Sequence, residues 1–379
     1  PAPDPKWGKA CGRAYTSRAP YAPDIRGAFF LGEGPHGKIK GNGHYMDDVW
    51  FYDINQHRWI CVYPGMKAKG GYKEMGISIN KDGFEATPDG HPLPIAALGH
   101  GYSNATYDPH RKRLMFIHSF QHYWWNKISD RLEYLSANRK RFYCETTRVM
   151  KGSLRKIDPT ASASPWIYNT VEGHWERYRT TGRPGGGSLT YVPTVRKAFA
   201  YNAKKKMVGW YDPEKKDWVQ LRPKGDDFPV WTIDYNVCYD SKRDRVYLGG
   251  GVYARRKIKK GESVLWSFDV KTETISRVKP KTNPLPTSYS NNNAMMFYDS
   301  VNDVVLLFLH KTKTGAPGVY AYHPGKNEWE TVAKRPAAYT SRPFPTWTGF
   351  YAPEFNALLL HLAVDGQQNG TMWAYRYKR

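Results

Sequence analysis

The chain has 379 residues, of which 40% are hydrophobic, a length and composition that suit one large or two ordinary folded domains. No apolar run reaches about 18 residues, which excludes a helical membrane span, and the opening PAPDPKW does not read as a signal peptide. The formal net charge of +23 is spread along the sequence, a field that attracts nucleic acid, acidic polysaccharide or anionic lipid, and an aromatic content of 15% offers flat faces to bases or sugar rings.

From the N-terminus, YAPDIRGAFFLGEG (21–34) is the first of a recurring unit: a tyrosine, a short polar turn and an apolar run. VWFYDINQHRW (49–59) follows with a second pattern, in which alternating aromatics meet a polar turn and a closing Trp. The first pattern returns in NATYDPHRKRLMFIH (104–118), LTYVPTVRKAFAY (189–201), NVCYDSKRDRVYLGGG (236–251), AMMFYDSVNDVVLLFL (294–309) and GFYAPEFNALLLHL (349–362). The second returns in PWIYNTVEGHW (165–175), GWYDPEKKDW (209–218), LWSFDVKTETI (265–275) and VYAYHPGKNEW (319–329). Period-two alternation on both sides of a turn is a β-hairpin. Two hairpins per unit, repeated without a helix-period stretch, predict one all-β domain over 1–379, a six-bladed β-propeller of four-stranded blades, with seven blades as the alternative. The last unit, TMWAYRYKR, stops one strand short, and Trp7 with its flanking turn supplies the closing pattern. The ring is therefore expected to close by pairing N- and C-terminal strands, which removes an exposed edge.

The tyrosines that mark the inner turns are Tyr21, Tyr107, Tyr191, Tyr239, Tyr298 and Tyr351, and their spacing reveals two insertions of roughly 35 residues, near 66–95 and 123–163. Both leave the same face of the disc and are expected to wall a binding face above the second blade. The second insertion carries Trp124, Trp125, Arg131, Arg139, Lys140, Arg141 and Arg148, an aromatic and basic rim.

Four of the twelve histidines fall in GHGYSNATYDPHRKRLMFIHSFQHYWW (99–125). His100 lies where the chain goes into the inner strand of the second blade, and His118 and His122 lie where it returns. His100 and His122 are thus expected at one mouth, while His110, in the opposite turn, reads as a solvated loop residue. AYTSRAP (14–20) and AYTSRPFP (338–345) precede inner strands that neighbour across the closure, which places Tyr15, Arg18, Tyr339 and Arg342 on the same face. Of the four cysteines, Cys11 and Cys61 fit a disulfide in an oxidising compartment, and free thiols fit equally. His118, His122 and Cys144 offer a speculative zinc set, with calcium the other structural ion considered.

The hairpin pattern resembles the Kelch-type repeats of galactose-oxidase-like propellers over nearly the whole chain. The histidines at the two ends of one inner hairpin resemble those of ulvan lyases and related propeller polysaccharide lyases, which cleave uronic-acid polysaccharides by β-elimination with histidine, tyrosine and arginine. This resemblance implies a catalytic set of His100, His122 and Tyr201, with His118 and Tyr235 as alternates. Its arginine has no clear match after Tyr201, where Lys204, Lys205 and Lys206 stand; Arg255 is chosen, with Arg256 and Arg18 behind it. Substrate contacts then fall to Arg18, Tyr15, Asn104, His118, Trp124, Tyr235 and Arg342.

Elimination beside a uronate needs its carboxylate neutralised, a base for the C5 proton and an acid for the leaving O4. A tyrosine lowered in pKa by nearby cations, or a neutral histidine, can be the base. The expected protein is a secreted or periplasmic monomer that meets an anionic polysaccharide, needs no cofactor for catalysis, and has neither membrane nor nucleic acid as its partner. The competing expectation is a non-catalytic Kelch-type module that binds a polyanion. A copper radical oxidase needs a cysteine beside the histidines and a glycoside hydrolase a carboxylate pair, and neither pattern stands out.

Overall fold

The computed structural model describes residues 10, 13, 16–31, 48–63, 78–82, 84–94, 103–117, 164–181, 188–202, 205–225, 227–229, 235–250, 263–285, 294–309, 318–334, 345–364 and 370–378. Its strands build a six-bladed propeller of antiparallel blades. Blade 1 is β1 (Tyr21–Ala22), β2 (Gly27–Phe30), β3 (Val49–Asp53) and β4 (Arg58–Tyr63), followed by a two-stranded ribbon, β5 (Ser78–Ile79) and β6 (Glu85–Ala86). Blade 2 is β7 (Ala105–Asp108), β8 (Arg113–Phe116), β9 (Trp166–Asn169) and β10 (His174–Glu176). Blade 3 is β11 (Leu189–Val192), β12 (Lys197–Asn202), β13 (Met207–Asp212) and β14 (Asp217–Leu221); blade 4 is β15 (Tyr235–Asp240), β16 (Arg245–Gly250), β17 (Leu265–Asp269) and β18 (Thr274–Arg277). Blade 5 is β19 (Ala294–Asp299), β20 (Val304–Leu309), β21 (Gly318–His323) and β22 (Glu328–Lys334). Blade 6 shows β23 (Pro345–Ala352), β24 (Ala357–Val364) and β25 (Thr371–Tyr375); Trp7, the expected fourth strand, lies outside the described residues.

The closing tryptophan of the outer hairpins has a local cause. Tyr52 and Trp59, Tyr168 and Trp175, Tyr211 and Trp218, and Tyr322 and Trp329 are direct cross-strand partners, with ring centroids 5.0, 5.0, 5.4 and 5.3 Å apart. Such aromatic pairs add to the area they bury. The turn between them is equally stereotyped. The residue after the tyrosine, as at Asp53, Asp108, Asn169, Asp212, Asp240 and Asp299, accepts hydrogen bonds from backbone amides two and three residues on. The fifth residue after the aromatic takes φ between 45° and 57° at eleven non-glycine positions from Arg26 to Asn356, and in seven of these turns such a carboxylate or amide holds the turn. A left-handed residue with a Cβ costs about 1 kcal/mol, which the side-chain cap offsets.

All inner turns lie on one face, called lower here, and their side chains link every blade to the next. Tyr107 donates to Asp24 (3.1 Å), Tyr191 meets His110 (2.8 Å), Thr194 donates to Asp244 (2.7 Å), Arg243 to Asp303 (2.8 Å) and Tyr351 to Asp299 (2.7 Å). Tyr21 donates to Glu354 and closes the ring between blades 1 and 6. Between the blades, apolar clusters fill every interface, as with Phe29, Phe51, Tyr107 and Trp166 between blades 1 and 2, or Phe30, Trp50, Phe350 and Leu359 between blades 1 and 6.

The closure also buries charge. Arg13 pairs with Asp48 at 2.8 Å, and Asp48 accepts from the Trp50 indole at 2.6 Å. Beside this pair His361 is 2% exposed, boxed by the rings of Phe30 and Trp59 at 5.6 and 5.0 Å. Cys61 lies near the same pair as a free thiol, one of the two states left open for it, and Cys11 lies outside the described residues. Burial first, then the Asp48 charge, pushes that thiol up to about 12, which makes it a poor nucleophile.

Candidate functional site

The inner strands leave one edge facing the axis, so their carbonyls there need donors from elsewhere. Arg18 supplies them. Its guanidinium donates to the carbonyls of Val237 (2.6 Å), Ala105 (3.2 Å) and Leu189, one from each of blades 4, 2 and 3, while its own backbone bridges Gly349 of blade 6. Burial lowers the guanidinium to about 10, with the nearby Cys238 thiol acting the other way. Toward the upper face the hydroxyl of Ser17 meets Ser103 (3.2 Å) and the side-chain oxygen of Asn236 (3.3 Å). Among the described residues the axis thus holds a polar cluster contributed by several blades.

These contacts place two of the expected substrate contacts. Arg18 serves as a cross-blade tie. Asn104 is buried and donates its amide to the Ile117 carbonyl at 2.7 Å, joining the two ends of the inner hairpin of blade 2. Tyr201 sits at 3% exposure in the apolar cluster of blades 3 to 5, and burial pushes its hydroxyl up, opposite to the lowering that a tyrosine base needs. Tyr235 opens β15 beside the axis. His100, His118, His122, Trp124, Cys144, Arg255, Tyr15 and Arg342 lie outside the described residues, as does the insertion 123–163.

The first insertion takes a different course from the one expected. Its ribbon, 78–94, runs along the outer edge of blade 2: Phe84 lies under the Arg177 guanidinium at 4.7 Å, and Arg179 donates to the Asp82 carbonyl at 2.8 Å. At the lower end His91 faces His174, ring centroids 4.1 Å apart. Asp89 lies 3.7 Å from His91 and Glu172 3.4 Å from His174. Thr87 and the Asp89 backbone lead in holding the Asp89 carboxyl low, and both histidines contribute. The sequence separates His91 from His174 by a whole hairpin and an insertion, so no spacing announced this cluster.

Beside it, a cleft of about 510 Å³ opens between blades 2 and 3, lined by Asp108, Arg113, Glu176, Tyr178, Tyr191 and Lys197 among others. Its charges are largely paired with one another: Arg111 with Asp108 and Glu214 (3.2 and 2.7 Å), Arg113 with Glu176 (3.2 Å), Lys197 with Asp212 (2.8 Å). His110, expected as a solvated loop residue, is exposed in its turn and there meets the hydroxyl of Tyr191, which is pushed up by burial and then by Asp108. The cleft is wide enough for a ligand, yet its ionic groups already hold two blades together.

No protein-family model and no curated protein matches the chain. Among solved structures it is similar to a protein of unknown function from Bacteroides thetaiotaomicron (12% identity, 56% of this chain and 52% of that one, TM-score 0.37). It is also similar to a gluconolactonase of Xanthomonas campestris (6% identity, 72% and 75%, TM-score 0.39) and a GH74 enzyme of Niastella koreensis (9% identity, 96% and 46%, TM-score 0.44). The chain spans about half the length of the first and the last of these.

Proposed function

We propose that the chain cleaves a uronate-containing polysaccharide by β-elimination at the upper mouth of its axis. The observation that carries this reading is the net charge of +23 on a propeller whose described lower-face acids and tyrosines are engaged in turns and blade contacts. Such a field recruits a polyanion and favours the carbanion-like transition state at C5.

His100 and His122 exchange the protons: one removes the C5 proton, the C4–O4 bond breaks as the C4=C5 double bond forms, and the other delivers a proton to the leaving O4. Arg255 and Arg342 neutralise the carboxylate, and Tyr15, Trp124, His118 and Tyr235 flank the sugar. Tyr201, buried and raised, leaves the base role to histidine. The second reading, a non-catalytic module for an acidic glycan, is favoured by that same burial of Tyr201.

A panel of uronate polymers incubated with the protein separates the two. New ultraviolet absorbance from unsaturated ends, lost in His100→Ala and in His122→Ala with polymer binding retained, is the expected result. Binding without unsaturated ends from any polymer in the parent protein refutes the lyase and leaves the module.

A further inference from the structure

We propose that the cleft between blades 2 and 3 is a binding site for a neutral saccharide, held at its base by the Tyr211 hydroxyl. The turn pattern breaks there. In several hairpins the tyrosine before the turn meets the residue five positions on: Tyr52 meets His57 (3.1 Å), Tyr239 Asp244 (2.8 Å), Tyr298 Asp303 (2.9 Å) and Tyr322 Asn327 (2.9 Å). At the cleft that residue is a cation, Arg196 after Tyr191 and Lys216 after Tyr211, and a cation has no lone pair to offer. Tyr191 meets His110 instead, at 2.8 Å. Tyr211 has no such substitute: it is 2% exposed, its hydroxyl has no hydrogen-bond partner among the described residues, and the Lys216 ammonium sits 4.1 Å over the Tyr178 ring. An unpaired buried hydroxyl costs stability, so a fold that pairs the same group in its sister hairpins gains nothing structural by leaving this one open. The hydroxyl lies near Tyr178 and Glu176, which line the cleft together with Tyr211. Burial first, then those two neighbours, raises its pKa, so it stays a neutral donor and acceptor.

The charge of the cleft selects the ligand. Its lining carries five cationic and four anionic side chains, close to balance in a chain of net charge +23. Arg113 with Glu176 (3.2 Å) and Arg111 with Glu214 (2.7 Å) satisfy one another, so an anion or a cation entering here meets nearly as much repulsion as attraction. A sugar hydroxyl both donates and accepts. It fits beside such a pair, giving its proton to the carboxylate and taking one from the guanidinium, without separating the charges. Met115, Ile167 and Pro213 supply apolar surface for the C–H face of a sugar ring. The volume of about 510 Å³ falls within the roughly 300–1,000 Å³ of small-ligand sites and suits a mono- or disaccharide.

The test is calorimetric titration of the full-length chain with neutral mono- and disaccharides of glucose, galactose, mannose and xylose, and with glucuronate as the charged arm. A neutral sugar should bind, and Tyr211→Phe should weaken it about 3–10-fold, the loss of one hydrogen bond. The same variant should melt no lower than the parent, because the lost hydroxyl leaves no partner behind. Lys216→Asn, which restores the kind of acceptor found at Asn327, should weaken the sugar by a similar factor by engaging the Tyr211 hydroxyl within the turn. No binding of any neutral sugar overturns the proposal, as does sugar binding that both variants leave unchanged. A melting temperature lowered by more than about 3 °C in Tyr211→Phe would show the hydroxyl already paired within the fold, which overturns it too. Glucuronate binding more tightly than glucose, and lost in Tyr211→Phe, overturns the neutral ligand.

Discussion

Replacing Arg18 by methionine tests whether the axial arginine holds the ring. The perturbation removes the donors to the Val237, Ala105 and Leu189 carbonyls at once. Charge-assisted bonds contribute about 1.5–3 kcal/mol each, so about 4.5–9 kcal/mol is lost. Against this, the lowering of the guanidinium to about 10 marks a desolvation cost of about 3 kcal/mol that the variant no longer carries. The net expectation is destabilisation by about 1.5–6 kcal/mol. A chain of this length unfolds with an entropy of about 0.8 kcal/mol per kelvin, so the melting temperature should fall by about 2–8 °C. Differential scanning calorimetry reads it. A melting temperature within about 1 °C of the parent would mean that water satisfies the carbonyls and that the tie does not matter. Unchanged stability together with lost polyanion binding would return Arg18 to the substrate role.

Three further outcomes follow from the same geometry. Burial, with Arg13 beside it, holds His361 down to about 4, so the unfolded chain takes up a proton that the folded chain resists: stability is full above the unfolded value of about 6.5 and falls by about 3 kcal/mol as pH drops to 4. His361→Leu should flatten that slope in urea titrations at pH 7 and 4.5, and an equal drop in the variant would locate the acid sensitivity elsewhere. Gly27→Ala should cost about 1–3 kcal/mol in chemical denaturation, since an added Cβ would fall 2.1 Å from the Phe51 ring and 2.3 Å from the Tyr52 carbonyl oxygen; an unshifted midpoint contradicts the packing. Asp303→Asn breaks the paired contact with Arg243 that joins blades 4 and 5, where the arginine's hydrogen bonds hold the carboxyl well below its usual range. It should cost about 1–3 kcal/mol at pH 7 and nothing extra in strong acid, and a pH-independent loss would argue for packing instead of charge.

The parts of this fold legible in the sequence are the ones whose causes are local. Tyrosine and tryptophan seven apart are cross-strand partners in one hairpin, and an Asp after the tyrosine caps the turn it stands in, so both leave a repeating mark. What the sequence could not show is which blade a side chain reaches. AYTSR occurs twice, but Arg18 stands three residues before Tyr21, whereas Arg342 stands nine before Tyr351. The strand pairing sets Arg18 against Gly349, and the second copy lies outside the described residues. Tyr201 shows a second limit. It packs in the apolar cluster of blades 3 to 5, where burial raises its hydroxyl, and the lysines after it carry no sign of that depth. The meeting of His91 with His174 depended on the path of the ribbon, which carries no periodic signal at all.

The two faces of the disc divide the polar work. On the lower face the same short turn recurs, its carboxylates bound to backbone amides and its tyrosines to the next blade; a proton moved there would loosen a turn or an interface that the fold depends on. His110 illustrates the constraint, because its Nδ1 already meets the Tyr191 hydroxyl between blades 2 and 3. On the upper face the described part of the axis ends in the Ser17, Ser103 and Asn236 cluster, while His100, His118 and His122 lie outside the described residues. Chemistry that exchanges protons on each turnover needs groups whose protonation the scaffold does not use. The proposed histidines suit that demand better than the tyrosines described in the blades, each of which is raised wherever it departs from its ordinary value. Hence the histidine variants, and not a tyrosine variant, are the decisive test of elimination.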